Sequence, residues 1–140
     1  MTTHELYQKK LGTVADALSL IHSGDTVIGA TYVCEPVLLY RALHTIAPRV
    51  RDVTVWTCIT KERYPFFSDP AYRGSFFINS IFYDAQARAN HADGRVSYVP
   101  AHLHQLGRSI ADAQPDVFAA AVPPMDEEGY FHLSPVMQIE

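Results

Sequence analysis

Thr26-Val27-Ile28-Gly29-Ala30-Thr31-Tyr32-Val33-Cys34-Glu35-Pro36 is the stretch on which the fold turns. Thr26 to Gly29 is β-branched and ends in glycine, so it reads as a short strand. Pro36 suits the first turn of a helix, where a missing N–H costs no intrahelical hydrogen bond and a fixed φ helps. Leu39, Leu43 and Ile46 then share one face of that helix, which should stop before Pro48. Together these make one βα unit. Its loop could turn backbone N–H groups toward an anion or a carbonyl oxygen. No phosphate-loop or dinucleotide glycine pattern is completed there, however, and an ordinary βα connection explains the spacing more simply.

The same alternation runs outward in both directions. Upstream, Thr13-Val14-Ala15-Asp16 has the form of a capping box, and Val14, Ala17, Leu18 and Ile21 follow at helical spacing up to Gly24. Downstream, residues 53–59 read as a strand. Residues 60–74, with Pro65, Pro70 and several aromatics, read as a long ordered loop with one helical turn. Residues 76–83 form another strand, Asp84 caps a helix ending at Gly94, residues 95–99 form a short strand, and residues 101–113 form a helix. The apolar run Val117-Phe118-Ala119-Ala120-Ala121-Val122 is read as the most deeply buried strand. Pro123-Pro124 and the turn Asp126-Glu127-Glu128-Gly129 lead to a final strand near residues 130–133. The fold class is therefore α/β, a mostly parallel sheet of at least four strands flanked by helices. Such sheets bind ligands in the loops at the carboxyl ends of their strands. Here those are residues 29–35, 59–65 and 123–129.

Composition narrows the function. At 140 residues, 48% of them hydrophobic and 19% charged, the chain suits a single globular domain rather than a disordered one. A net charge of −4 with scattered basic residues leaves no footprint for nucleic acid. The first residues lack a secretory pattern and no apolar run is long enough to cross a bilayer, so a cytoplasmic protein without membrane contact is expected. The two cysteines, Cys34 and Cys58, make neither a disulfide framework nor a zinc site.

The candidate reactive groups do not assemble into a catalytic set. His102 and His104 fall at a helix start, where residues two apart diverge, and no carboxylate or cysteine has matching spacing, so no metal is expected. Free cysteines are usually small buried hydrophobes. Ser23 and Ser134 lack the G-x-S-x-G elbow. Carboxylates beside glycine, as in Asp126-Glu127-Glu128, usually make a solvated turn.

Several pieces in one order nonetheless resemble the N-terminal domain of the acetyl-CoA hydrolase/CoA-transferase family, which includes 4-hydroxybutyrate CoA-transferases. They are Tyr7-Gln8-Lys9-Lys10, Ile21-His22-Ser23-Gly24-Asp25-Thr26-Val27, Gly29 with Glu35-Pro36, Phe76-Phe77-Ile78-Asn79-Ser80, and Gly94-Arg95-Val96-Ser97-Tyr98-Val99-Pro100. The last runs from Asp116-Val117 to Val122-Pro123-Pro124-Met125-Asp126-Glu127-Glu128-Gly129-Tyr130. That segment is similar to the family's D-V-A … S-P-P-D-x-x-G-Y signature, with Met125 extra or substituted and Val122 where serine is common. Cys34 stands where related loops often have glycine.

The resemblance implies one domain, residues 1–140, equivalent to the N-terminal half of a two-domain enzyme. The second domain, with its glutamate nucleophile and its G-x-G-x-x-P loop, has no counterpart here, so no catalytic residue is assigned and the chain alone is expected to be inactive. Glu35 matches no nucleophile motif. The implied chemistry is transfer of coenzyme A between an acyl-CoA and a small carboxylate, or hydrolysis, through a glutamyl-CoA thioester, with CoA as a co-substrate and no permanently bound cofactor. Gly29, Cys34, Glu35, Pro36, Thr60, Pro123, Pro124 and Met125 are the expected wall of the substrate cleft. The aromatic loop of residues 64–72, the turn of residues 123–130 and the apolar end at Met137 and Ile139 are expected to form a face covered by a second domain or subunit, and homo-oligomers are expected. Two other readings stay open: a non-catalytic module binding CoA or a sugar phosphate, and a sugar-phosphate isomerase-like domain.

Overall fold

The computed structural model describes residues 1–132. Five strands form one all-parallel sheet in the order β4-β3-β2-β1-β5, with β1 Thr26–Gly29, β2 Val53–Thr57, β3 Phe76–Ser80, β4 Val96–Tyr98 and β5 Val117–Ala119. The helices are α1 Thr3–Lys10, α2 Val14–Ser19, α3 Val37–Leu43, α4 Pro65–Ser68, α5 Ala85–Asn90 and α6 Leu106–Asp112, with single 3₁₀ turns between several of them. The sheet register explains the pattern of apolar residues. Val117, Val27, Val55, Ile78 and Val96 lie side by side across all five strands. Because side chains alternate along a strand, this row faces one side, where Leu18, Tyr40, Leu43, Phe66, Phe67 and Ala87 cover it. Ile28 and Trp56 face the other side, where Leu106 of α6 and Ile81 close a smaller cluster.

Local capping chemistry fixes the helix starts. Thr13 accepts the Asp16 N–H at 3.1 Å while Asp16 accepts the Thr13 N–H at 2.8 Å, a complete capping box. Asp84 accepts the Ala87 N–H at 2.8 Å and starts α5, and Gly94 ends the following 3₁₀ turn at φ +72°. Pro36 stands immediately before α3 as its N-cap.

Four expectations are corrected. Helix α2 stops at Ser19 instead of continuing to Gly24, because Arg49 donates to the Leu18 carbonyl and, at 2.7 Å, to the Ile21 carbonyl. The run at residues 117–122 is not the most buried strand: only Val117–Ala119 is strand, it occupies a sheet edge, and Phe118 is 52% exposed. The loop of residues 64–72 does not display its aromatics, since Tyr64, Phe66 and Phe67 are fully buried and α4 forms there. Residues 130–132 are not strand; Asp126 folds the turn on itself, accepting the Glu128 and Tyr130 N–H groups at 3.0 and 2.8 Å. Met137 and Ile139 lie outside the described residues.

Candidate functional site

The strand order creates the site. Strands β2, β3 and β4 step away from β1 on one side and β5 returns on the other, so the loops leaving β1 and β5 diverge. A crevice at such a reversal is the usual ligand site of an open parallel sheet. Here it is a cleft of about 660 Å³ whose walls include Val33, Glu35, Pro36, Lys61 and Ala119 to Val122. Its floor is laced by backbone: the Ala30 N–H donates to the Ala119 carbonyl and the Ala121 N–H to the Cys34 carbonyl, both at 2.8 Å. The loop itself makes a 3₁₀ turn at Tyr32–Cys34, with Tyr32 held at φ +51°.

Glu35 anchors this loop. It is 2% exposed, and one carboxylate oxygen accepts the Tyr64 hydroxyl at 2.9 Å and the Lys61 N–H at 3.0 Å. Burial raises its pKa above the ordinary carboxylate range, and the two hydrogen bonds and the Lys61 charge offset that only in part. The Lys61 ammonium donates to the Val33 carbonyl at 3.2 Å, tying the β1–α3 and β2–α4 loops together again. Burial likewise raises the Tyr40 and Tyr64 phenols, with the Glu35 charge adding to it. Both stay protonated as hydrogen-bond donors.

The sequence-derived candidates scatter around this frame. Glu35 and Pro36 line the cleft. Gly29 and Cys34 are buried behind it. Gly29 is a matter of space, because a Cβ there would lie 1.8 Å from the Tyr40 hydroxyl oxygen. Thr60 lies in a second cavity of about 500 Å³ between the β2–α4 loop and α5, where its N–H and hydroxyl donate to Asp84 at 3.0 and 2.7 Å. Lys61 belongs to the walls of both cavities. Met125 faces Leu6 and Tyr7 of α1 in a separate groove, and Pro123 and Pro124 are exposed. Lys61, Asp84 and Gln86 line these walls and Tyr64 holds Glu35 in place, yet none of the four was named singly as a site residue from the sequence, although Lys61 and Tyr64 lie within the expected loop of residues 59–65. The Lys61 position beside Thr60 was a usable signal, whereas nothing in local spacing pairs Tyr64 with Glu35. Among the described residues no cluster of three or more metal-ligating side chains occurs, and no helix is long and apolar enough to cross a membrane.

The family model described as acetyl-CoA hydrolase/transferase N-terminal domain matches residues 1–139. A succinyl-CoA:cyclohexane-1-carboxylate CoA transferase of Geobacter metallireducens is 28% identical over 131 residues, which is 91% of this chain and 29% of that protein. A butyryl-CoA:acetate CoA-transferase of Anaerostipes caccae is also 28% identical, over 96% of this chain and 31% of its own length. The crystal structure of RipA from Yersinia pestis superposes with a TM-score of 0.82 at 31% identity, covering 94% of this chain and 33% of RipA. The chain thus spans about a third of the relatives that it matches.

Proposed function

The chain belongs to the acetyl-CoA hydrolase/transferase family as its N-terminal domain, and from that premise we propose that it forms one wall of an acyl-CoA:carboxylate CoA-transferase or acetyl-CoA hydrolase site. The observation that carries this reading is the cleft at the β1–β5 reversal, with its two loops tied through Glu35, Tyr64 and Lys61. In the proposed reaction a glutamate outside this chain attacks the thioester carbonyl, giving an acyl-glutamyl anhydride and CoA thiolate. The thiolate attacks the glutamyl carbonyl and releases the acyl group as a carboxylate, leaving a glutamyl-CoA thioester. A second carboxylate, or water, then takes its turn at that thioester, the division of one hard step into easier ones that covalent catalysis provides. This chain's part is to bind and shape. Glu35 has both its close partners inside the fold, so its role is to set the loop and not to attack. A second domain or subunit completes the site, and the assembly works in the cytoplasm as a homo-oligomer.

The test compares the 140-residue chain alone with the same chain fused in place of the matching N-terminal third of the butyryl-CoA:acetate CoA-transferase. The isolated chain should show no CoA transfer from acetyl-CoA to a carboxylate and no thioester hydrolysis, while the fusion should transfer. Turnover by the isolated chain that disappears in Glu35→Gln would overturn the reading and give Glu35 the nucleophile's role.

A further inference from the structure

The second cavity holds a polar group that the cleft reading leaves unused. Gln86 is 8% exposed and forms part of its wall. Its Oε1 accepts the Tyr64 N–H at 3.1 Å, which fixes the orientation of the amide and makes the other atom the donor. That donor, Nε2, has no hydrogen-bond partner among the described residues. Buried donors are almost always satisfied, because hydration lost on burial must be replaced. An acceptor is the missing component.

The charges on the same wall say what kind of acceptor. Lys61 and Arg63 both line the cavity. Arg63 makes no hydrogen bond or ion pair with any described residue. Lys61 spends one proton on the Val33 carbonyl and has three to offer. Among the described residues two carboxylates line the cavity as well, and both are engaged: Glu62 pairs with Arg41 through both its oxygens, and Asp84 accepts from Thr60 and from the Ala87 N–H. The free donors therefore outnumber the free acceptors.

We propose that this cavity is a subsite for a small carboxylate anion, held by the Gln86 amide, the Arg63 guanidinium and the Lys61 ammonium. A guanidinium fork matches the two oxygens of a carboxylate, and the amide N–H₂ adds a directed third contact. Ile59, Ala85 and Ala89 in the wall suit a short carbon skeleton, and among the described residues no aromatic side chain lines it to stack a nucleotide base. The volume of about 500 Å³ fits a small ligand, since such pockets run from about 300 to about 1,000 Å³. The cavity opens beyond the carboxyl end of β2, where ligands of parallel sheets bind. Lys61, shared with the β1–β5 cleft, sets an anion held here beside that cleft. The assignment of this anion as the acceptor of CoA rests on the function proposed above; its binding does not.

The experiment is an NMR titration of the chain with succinate, acetate, inorganic phosphate and CoA. Succinate and acetate should saturably shift the Gln86 side-chain amide and the backbone amides of Lys61, Glu62 and Arg63, with phosphate and CoA silent at those signals. Arg63→Glu should weaken carboxylate binding by about tenfold or more. Gln86→Glu, which keeps the acceptor for the Tyr64 N–H and removes the donor, should act in the same direction. Arg63 is exposed, so its reversal leaves the core intact and carries the test even if Gln86→Glu fails to fold. No saturable shift, a response to phosphate or CoA in place of the carboxylates, or unchanged binding in Arg63→Glu would overturn the subsite. These readouts involve no turnover, so an inactive fusion protein would count against the transferase reading and leave the subsite standing. Normal transfer with an unchanged KM for the carboxylate in the Arg63→Glu fusion would do the reverse.

Discussion

Residues 64–67 and residues 117–122 contrast most sharply in how sequence and place combine. The first segment sits in a stretch that reads as a loop from Pro65 and Pro70, yet Tyr64, Phe66 and Phe67 have no exposed surface. The second is the longest apolar run of the chain, yet its strand has a single lateral neighbour and Phe118 is half in solvent. Topology makes the difference. Pro65 starts the short helix α4, which lays its rings against Tyr40 and Phe76, with Phe66 5.4 and 5.8 Å from them centroid to centroid. Strand β5 joins on the open side of β1, where only an edge position exists. An apolar residue is buried by what its segment packs against, and that is decided by residues far away in the chain.

Truncating one ring in each segment gives the largest expected contrast. Phe66→Ala removes a fully buried ring and should cost about 3–5 kcal/mol of stability. Phe118→Ala should cost less than about 1 kcal/mol, as mutations at half-exposed positions do. Urea unfolding with the midpoint and slope fitted for each variant checks both. Equal losses would break the comparison and restore the buried reading of residues 117–122.

What was legible in the sequence was local. Thr26–Gly29 and the helix after Pro36 were readable because β-branching, a glycine and a proline act within a few residues. The capping box at Thr13 and the N-cap at Asp84 were readable for the same reason. Helix α1 was not, since it buries no residue and carries no apolar period; only the Thr2–Glu5 capping box marks it. The cleft residues Glu35 and Pro36 could be named from a strand end. Their partner Tyr64 is 29 positions from Glu35, and no local pattern encodes that pairing. Thr60 could be named too, but its placement in a different cavity depends on Asp84, which comes from the next βα unit.

A smaller effect sharpens the comparison within the buried frame. Gly29→Ala would place a methyl 1.8 Å from the Tyr40 hydroxyl and 2.6 Å from its ring carbon. Tyr40 is itself 1% exposed and cannot swing aside freely. Overpacking of this kind costs about 1–3 kcal/mol. Adding Tyr40→Phe removes the nearer contact, so the double variant should lose less than the sum of the two single losses. Strict additivity in a double-mutant cycle would mean that the close approach of Gly29 and Tyr40 is not what constrains this position.

The smallest effect is a pH slope, and it belongs to Glu35 alone. Burial raises its folded-state pKa above the ordinary value of 4.5, despite the opposing Lys61 and Tyr64 hydrogen bonds and the Lys61 charge, with Glu62 repulsion adding to the rise. Between the ordinary and the raised value the folded chain therefore holds more protons than the unfolded chain. Stability from this group must then fall as pH rises through that window, and the cost is fully present above the folded pKa. Asp16, Asp93, Asp126 and Glu62 are shifted the opposite way, by capping or pairing hydrogen bonds, and they contribute stability that is lost on acidification. Those contributions are common to both proteins and cancel in a difference. Glu35→Gln keeps an oxygen for the Tyr64 hydroxyl and the Lys61 N–H but cannot ionise. Urea midpoints measured from about pH 4 to about pH 8 should show wild type losing ground to Glu35→Gln as pH rises. Parallel curves would mean that Glu35 ionises as easily in the folded chain as in the unfolded one. The loop tied by Glu35 would then be a solvated hinge, and the contrast between a sealed frame and an open β5 edge would no longer hold at the cleft.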